Sequence, residues 1–375
     1  MRAALIAVIC ACRFSPGAQQ QPDDGNPPAE AGIDAPPVDA MVDGNDALES
    51  SARRKPITFN NKIIGTNTDF PVWIDYTNND LKMRAHANDI YFTDADGTTK
   101  LDRQVMLFDA TNGHLQAWVR VPSLANGSKI YLYYGDPGAV DAANPVGVFE
   151  NGFKAVWHLD EVNANVVDAT NQTNAVGAFS AATTVVDSPL GKGLQWAESM
   201  DNATFTNPLL GNTAHTISVW AYQNDIHNDS HTSSILNLGA PSGGHARWLY
   251  GHYVAQTWYV GFYGPDIAAN DNIEDNKWHL LTWVFPGGAN VTSSLWADGV
   301  KVSFATVGTI DTQAGGVIGH APENVGWGNR NGFEGKMDEL RLANVARDDN
   351  WIKTEWANQS NPGSTYAVGG EENPP

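Results

Sequence analysis

The sequence predicts an all-β protein made of two successive antiparallel sandwich units. Three observations lead there. The chain carries 13 Trp, 11 Tyr and 13 Phe together with 36 Gly, a mixture that favours short strands and tight turns over helices. From Arg53 onward, apolar or alternating runs are short and are separated by turn signals such as Asn112-Gly113 and Asn126-Gly127. Both cysteines, Cys10 and Cys12, fall in the first dozen residues, so no disulfide, thiolate metal site or cysteine nucleophile is available further on. Hydrophobic cores must hold the folded part together, with a hard cation as the one plausible addition.

A chain of 375 residues leaves room for one to three domains. Its formal net charge is -20, and no cluster of Lys and Arg offers a phosphate-binding surface. No nucleic-acid partner is expected. The acidity favours solubility and is compatible with calcium.

At the N-terminus, Arg2 precedes a short apolar run, Ala3 to Ile9. It is too short to span a bilayer, which takes roughly 20 residues. The stretch Ile9-Cys10-Ala11-Cys12 resembles a bacterial lipobox. That resemblance implies export and lipidation of Cys12, with a plain signal peptide or a miscalled start as alternatives. Residues 14–52 hold no Lys or Arg, six Asp, two Glu and six Pro. Such a segment buries too little apolar surface to offset its ordering entropy and reads as a disordered acidic tether. By the same resemblance, Arg13 after Cys12 points to the outer membrane, so the only membrane contact expected is the lipid anchor.

The first folded unit runs from 53 to 145. Val72–Tyr76, Asp89–Thr93, Gln104–Phe108, Leu115–Val121 and Ile130–Tyr134 are its strand candidates. Leu115, Ala117, Val119 and Val121 share one face, and Gln116, Trp118 and Arg120 the other. Asn-Gly and Asp-Gly between strands favour hairpins because both residues tolerate positive φ. This is a small antiparallel β-sandwich. Asp94-Ala-Asp96-Gly97 invites a calcium reading, but the twelfth position from Asp94 is Val105 rather than Glu, and a β-turn is the better reading. Lys55–Thr58, Asn88–Asp94, Ala117–Pro122 and Ile130–Gly135 resemble an uncharacterised bacterial extracellular β-domain that in some relatives precedes a proton channel of the MotA/TolQ/ExbB type. No channel helix is present here, so transport does not carry over.

The second unit runs from 149 to 370. Phe153–Glu161, Thr216–Trp220, Lys277–Trp283, Ser294–Gly299 and Gly335–Leu342 read as strands and turns, and Asp348–Trp356 as a short helix. In order and spacing these resemble the laminin G-like, concanavalin A-like lectin/glucanase jelly roll. The fold alone does not name a function. Glucanases of this kind carry alternating carboxylates on one strand, so that one attacks while another protonates. No such strand is found. Asp338 and Glu339 are consecutive and are expected on opposite faces. Asp271, Glu274 and Asp275 sit in a polar loop. No Gly-x-Ser-x-Gly, His-Glu-x-x-His or phosphate loop occurs, so the protein is not expected to be an enzyme.

The resemblance further implies a structural Ca²⁺ at Glu161, Asp168 and Asp338. The alternative gives Asp168 a turn-capping role and Asp338 a hydrogen bond or ion pair. For a ligand, aromatic faces and polar groups are sought. Arg247, Trp248, Tyr250 and Trp258 are candidates, although half of the alternating residues belong to a core. Trp327, in the Gly/Asn-rich loop 323–331, is either an exposed platform or a lid. His227, His231, His245 and His252 are read as loop histidines rather than zinc ligands. Pro137 and Pro145 in the short passage between the units predict that the two units pack together. The resulting expectation is a non-catalytic cell-surface protein that recognises a glycan or cell-envelope component. A structural part in an envelope assembly is the alternative, and a glycan hydrolase the least favoured reading.

Overall fold

The computed structural model describes residues 52–136, 138–196, 201–224, 232–252, 257–262, 266–269, 276–321 and 332–375. Cys12, the proposed tether, Trp327, His227, His231, Asp271, Glu274 and Asp275 lie outside the described residues.

The chain begins with β1 (Arg53–Phe59), β2 (Thr66–Thr77), the short helix α1 (Asn79–Arg84), β3 (Tyr91–Thr93), β4 (Lys100–Leu101), β5 (Arg103–Asp109), β6 (His114–Ala125) and β7 (Lys129–Tyr134). A single helical turn, α2 (Pro145–Val148), leads on to β8 (Phe153–Trp157), β9 (Asn165–Val166), β10 (Ala175–Ala178), β11 (Thr184–Ser188), β12 (Gly191–Trp196), β13 (Asn202–Phe205) and β14 (His215–Gln223). Then come β15 (Thr232–Gly239), β16 (Ala246–His252), β17 (Thr257–Gly261), β18 (Ile267–Ala268), β19 (Trp278–Phe285), β20 (Val291–Ala297), β21 (Val300–Val307), β22 (Gly316–Ile318) and β23 (Gly335–Ala343). Helix α3 (Asp349–Ser360), a 3-10 turn at Pro362–Ser364 and β24 (Tyr366–Val368) close the chain.

The first unit sets a five-stranded sheet, β24-β1-β7-β3-β4, against a three-stranded sheet, β2-β6-β5. Ile57, Phe92 and Leu132 from one sheet meet Val72, Ala117 and Val119 from the other. The Asp94–Gly97 segment is a turn. Gly97 N–H donates to Asp94 O at 2.9 Å, and Asp96 accepts the N–H groups of Thr98 and Thr99 at 2.8 Å. The second unit is a two-sheet antiparallel sandwich. One sheet has the order β18-β17-β16-β15-β22-β13-β10-β9, the other β11-β12-β23-β14-β19-β20-β21, with β8 also pairing with β23. Alternation works as expected on β14, where Ile217, Val219 and Ala221 enter the core with Trp157, Trp196, Trp258 and Trp283.

The two units share a core. Trp118, on the outer face of β6, is fully buried because the second unit covers it. It packs against Trp73 at 4.8 Å and Phe149 at 6.0 Å between ring centres. Phe149 in turn touches Phe153, and Phe153 touches Trp351.

Helix α3 straps the units together. Asp348 caps it by accepting the Trp351 N–H at 2.9 Å. Ile352 packs on Val284 and Trp296 of the second unit. The opposite side reaches the exposed edge of β2. Asn358 accepts the Trp73 N–H at 2.7 Å and donates to the Trp73 carbonyl at 3.0 Å. Tyr366 Oη accepts the Asp75 N–H at 3.0 Å and donates to the Asp75 carbonyl at 2.8 Å. An amide and a phenol thus stand where a neighbouring strand would, closing an edge that would otherwise invite pairing with another chain. Beyond them, β24 pairs with β1, Ile57 opposite Val368 and Phe59 opposite Tyr366. The second unit therefore does not extend to 370: residues 366–368 belong to the first unit's sheet.

Replacing Asn358 with Ala strands two buried backbone groups, at a cost of roughly 1–3 kcal/mol for each unsatisfied group. Chemical denaturation of N358A is expected to show that loss. A change within roughly 0.5 kcal/mol, the size seen at uninvolved surface positions, would contradict the strap.

Candidate functional site

A cleft runs between the two units. Two adjoining cavities of about 270 and 440 Å³ share Met106, His158 and Asp160 as lining residues. The first unit supplies Gln104, Met106 and Leu107 from β5 and His114 and Gln116 from β6. The second supplies the segment after β8, the β11–β12 hairpin, and Asp338 and Glu339 from β23.

Local backbone geometry builds this cleft. Leu159 has φ 56° and Glu339 has φ 51°, both in the left-handed region that bulky residues rarely adopt. At Glu339 the register between β14 and β23 slips. A bulge of this kind re-aims a side chain. The consequence corrects the sequence expectation: consecutive Asp338 and Glu339 both line the smaller cavity instead of pointing to opposite faces. Left-handed backbone at residues other than Gly often marks a functional site, because such strain persists only where the surroundings enforce it.

Glu339 is held firmly. Its Oε1 lies 2.5 Å from His158 Nδ1, and its Oε2 accepts Arg341 Nε at 3.1 Å and Nη2 at 2.9 Å. His158 Nε2 lies 3.1 Å from Gln104 Oε1, so the imidazole bridges the two units. Arg341 also reaches Glu355 on α3 at 3.3 Å, and its guanidinium lies 4.3 Å over the Trp118 ring. Glu355 is bonded by Gln359, which accepts the Trp220 indole N–H at 2.8 Å.

These contacts separate the protonation states. Burial opposes ionisation of Glu339, but His158 and Arg341 outweigh it and hold the carboxyl down to about 2. Among the described residues, the one side-chain donor to Asp338 is the Ser188 hydroxyl, at 2.7 Å. Burial, reinforced by the charge of Glu339, pushes it well above the usual carboxylate range. Burial alone would lower His158, yet the charge and hydrogen bond of Glu339, with Asp160 adding to them, leave it raised. At the rim, Asp75 accepts from Gln116 at 2.9 Å and lies 2.8 Å from His114 Nε2, and Lys192 pairs with Asp187 at 2.6 Å.

The residues singled out from sequence are dispersed. Asp168 is buried, and its carboxylate accepts five donors: the N–H groups of Val156, Thr170, Gln172 and Thr173 and the Thr170 hydroxyl, at 2.6–3.0 Å. It caps a turn and has no oxygen left over for a cation. Glu161 is exposed in the larger cavity, while Asp338 lines the smaller. The calcium trio does not converge, and among the described residues no three His, Cys, Asp or Glu side chains gather as a metal site.

Strand parity corrects two ligand candidates. Arg247 points inward, and its guanidinium donates to the carbonyls of Leu209, Gly211 and Thr213 at 2.7–3.1 Å. Burial lowers its pKa to about 10. Trp258 is fully buried in the sandwich core. Trp248 and Tyr250 lie on the other face and stack at 4.1 Å, with Tyr259 at 5.4 Å beyond. They are only 7% and 4% exposed, too little for a ligand to stack on them as they stand. His245 Nδ1 lies 3.1 Å from the Asp311 carbonyl oxygen. Sequence reading missed Gln104, His114, Gln116, His158 and Asp160. The run His158-Leu159-Asp160-Glu161 was a usable signal, because it places polar residues directly after a buried strand.

Two outcomes follow. Arg341→Met removes the buried cation that Glu339 and Glu355 share and leaves Glu339 with His158 alone, and a loss of roughly 3–5 kcal/mol is expected in equilibrium denaturation. A loss under roughly 1 kcal/mol would show that the network is idle. His158 is raised, so its stabilisation is complete below about 6.5, the ordinary histidine value, and disappears as pH climbs through its own higher value. Asp338, also raised, acts in the same direction between the ordinary carboxylate range and its own value. The thermal midpoint should fall as pH rises above about 6.5, less steeply in His158→Gln. Equal slopes in the two proteins would rule out His158 as the cause.

Comparison with known proteins accords with this architecture. Residues 198–353 match the family model described as the concanavalin A-like lectin/glucanases superfamily. Residues 86–179 match a domain of unknown function, DUF2341. No curated protein matches the chain. Among solved structures, the binding domain of Paraclostridial Mosquitocidal Protein 1 aligns at 14% identity and TM-score 0.42, covering 55% of this chain and 52% of that one. Domain 4 of AbnA, an extracellular arabinanase from Geobacillus stearothermophilus in complex with arabinotriose, aligns at 17% and 0.41, covering 55% and 98%. A Trypanosoma rangeli sialidase aligns at 14% and 0.44, covering 68% and 44%. The chain thus spans about half the length of the first of these structures, and similarity at this level does not extend to function. The protein is an all-β chain that carries a concanavalin A-like domain at residues 198–353.

Proposed function

We propose that this chain is a non-catalytic recognition protein that binds a saccharide in the cleft between its two units. In this reading the N-terminal segment ending at Cys12 exports the protein and anchors it at the cell surface. The observation that carries the proposal is the pair of adjoining cavities whose walls come from both units. Met106, Leu107 and Leu190 offer apolar surface for the C–H face of a sugar. His114, Gln116 and Asp160 offer groups for its hydroxyls. The concanavalin A-like match supports a lectin-type role.

One observation favours a second reading, hydrolysis of a glycosidic bond. Asp338 and Glu339 line one cavity with their ionisation driven in opposite directions, as an acid and a base require. Against it stands the burial of both carboxyl groups, 1% and 3% exposed, with Glu339 occupied by His158 and Arg341.

The test is a polysaccharide binding screen on the full-length protein, with Ca²⁺ and again with a chelator, followed by an assay for released reducing ends. Binding without release is expected. The Asp160→Ala, Gln116→Ala double variant should weaken it by roughly tenfold, the equivalent of about one hydrogen bond. Reducing ends that vanish in Asp338→Asn would replace the binding reading with the hydrolytic one. Binding untouched by the double variant would move the ligand out of the cleft.

A further inference from the structure

Away from the cleft, a groove of about 560 Å³ lies where the β1–β2 loop meets α3. Asn61 and Lys62 line it from the loop, Lys353, Trp356 and Ser360 from the helix, and Asn361 from the turn that follows. Its walls are fixed. Asn60 Nδ2 donates to the Ser364 carbonyl at 2.8 Å, and Asn60 Oδ1 accepts the Lys62 N–H at 2.9 Å. The Ile64 N–H donates to the Thr354 hydroxyl at 3.0 Å.

Trp356 is the central feature. Its indole is backed by Trp220, with ring centres 5.5 Å apart. It also lies against the Asp298-Gly299 turn, where a Cβ built on Gly299 would sit 3.0 Å from the indole. Gly299 has φ 73°, so a larger residue is excluded there by both backbone and contact. The ring is therefore immobilised, yet it remains partly exposed on the groove side. A rigid, half-exposed indole surrounded by amides and hydroxyls is the chemistry that holds a sugar ring.

Charge narrows the ligand. The charged residues lining the groove are Lys62 and Lys353, both cations. Lys62 makes no ion pair among the described residues, and the Asp349 carboxylate lies 3.9 Å from Lys353, at the limit of pairing. In a chain of net charge -20, two under-neutralised lysines flanking an indole complement an anion. The acidity of the remaining surface is screened beyond a Debye length of about 8 Å.

We infer that this groove is a second binding site, for a short acidic saccharide. The sugar ring lies on Trp356, its carboxylate sits between Lys62 and Lys353, and its hydroxyls meet Asn61, Ser360 and Asn361. The site is independent of the cleft, so the two can fail separately.

The test uses the full-length protein, trigalacturonate and its neutral counterpart galactotriose. The Trp356 indole N–H is followed by NMR, assigned with Trp356→Phe, and affinities come from calorimetry. Trigalacturonate should shift the Trp356 resonance and bind at least about tenfold more tightly than galactotriose. Lys62→Glu with Lys353→Glu should abolish that preference without moving the thermal midpoint, since both side chains are exposed. The Asp160→Ala, Gln116→Ala cleft variant should bind trigalacturonate as the parent does. An unmoved Trp356 signal, equal affinity for the neutral sugar, unchanged binding in the lysine variant, or loss of binding in the cleft variant would each overturn the proposal.

Discussion

The organisation of this protein rests on one buried cation. Arg341 leaves β23 between Glu339 and Glu355, with its guanidinium 4.3 Å from the centre of the Trp118 ring of the first unit. A guanidinium buried between two carboxyl groups is stable only if charges and hydrogen bonds are satisfied together. Meeting that condition here fixes several elements at once. Glu339 must bulge to reach the guanidinium, α3 must lie where Glu355 can accept, and the first unit must place Trp118 beneath. Once these are set, His158 is brought to Gln104 and the space left between the units becomes the cleft. A hydrophobic interface alone would hold the units together without specifying their relation so narrowly.

The C-terminal segment makes this relation durable. It covers the outer face of one sheet of the second unit, satisfies the open edge of β2 through Asn358 and Tyr366, and then adds β24 to β1. The first unit is therefore completed by the last residues of the chain, which ties its sheet to contacts of very long sequence separation. Such contacts carry a large loop-closure entropy. The shared core of Trp118, Phe149, Phe153 and Trp351 offsets that cost by burying apolar surface from both units together.

Much of this was legible in the sequence, and the part that was not has identifiable causes. Short apolar or alternating runs between turn signals located β2, β5, β6, β7, β14, β19 and β23, and the helical spacing of Trp351, Ile352 and Glu355 located α3. The same alternation, applied strictly, places Arg247 and Trp258 inside with Leu249 and Val260. Trp118 defeated a single-face reading, because its own strand could not reveal that another unit covers its outer side. The bulge at Glu339 has no Gly or Asn to signal it. Without it, Asp338 and Glu339 fall on opposite faces and the cleft disappears from view. Asp168 resembled a metal ligand by position, but five local donors occupy it. The return of Tyr366–Val368 to β1 is a long-range pairing that no local pattern encodes.

The central claim is that a saccharide lies between the two units. The most direct test labels the methionine methyl groups of the full-length protein with ¹³C and follows them through titration with the best binder. Met106 lines both cavities, whereas Met83 sits 59% exposed on α1 and lines neither. The account requires the Met106 methyl to shift along the binding isotherm while Met83 stays still. Saturable binding that leaves Met106 unmoved would contradict it and place the ligand elsewhere.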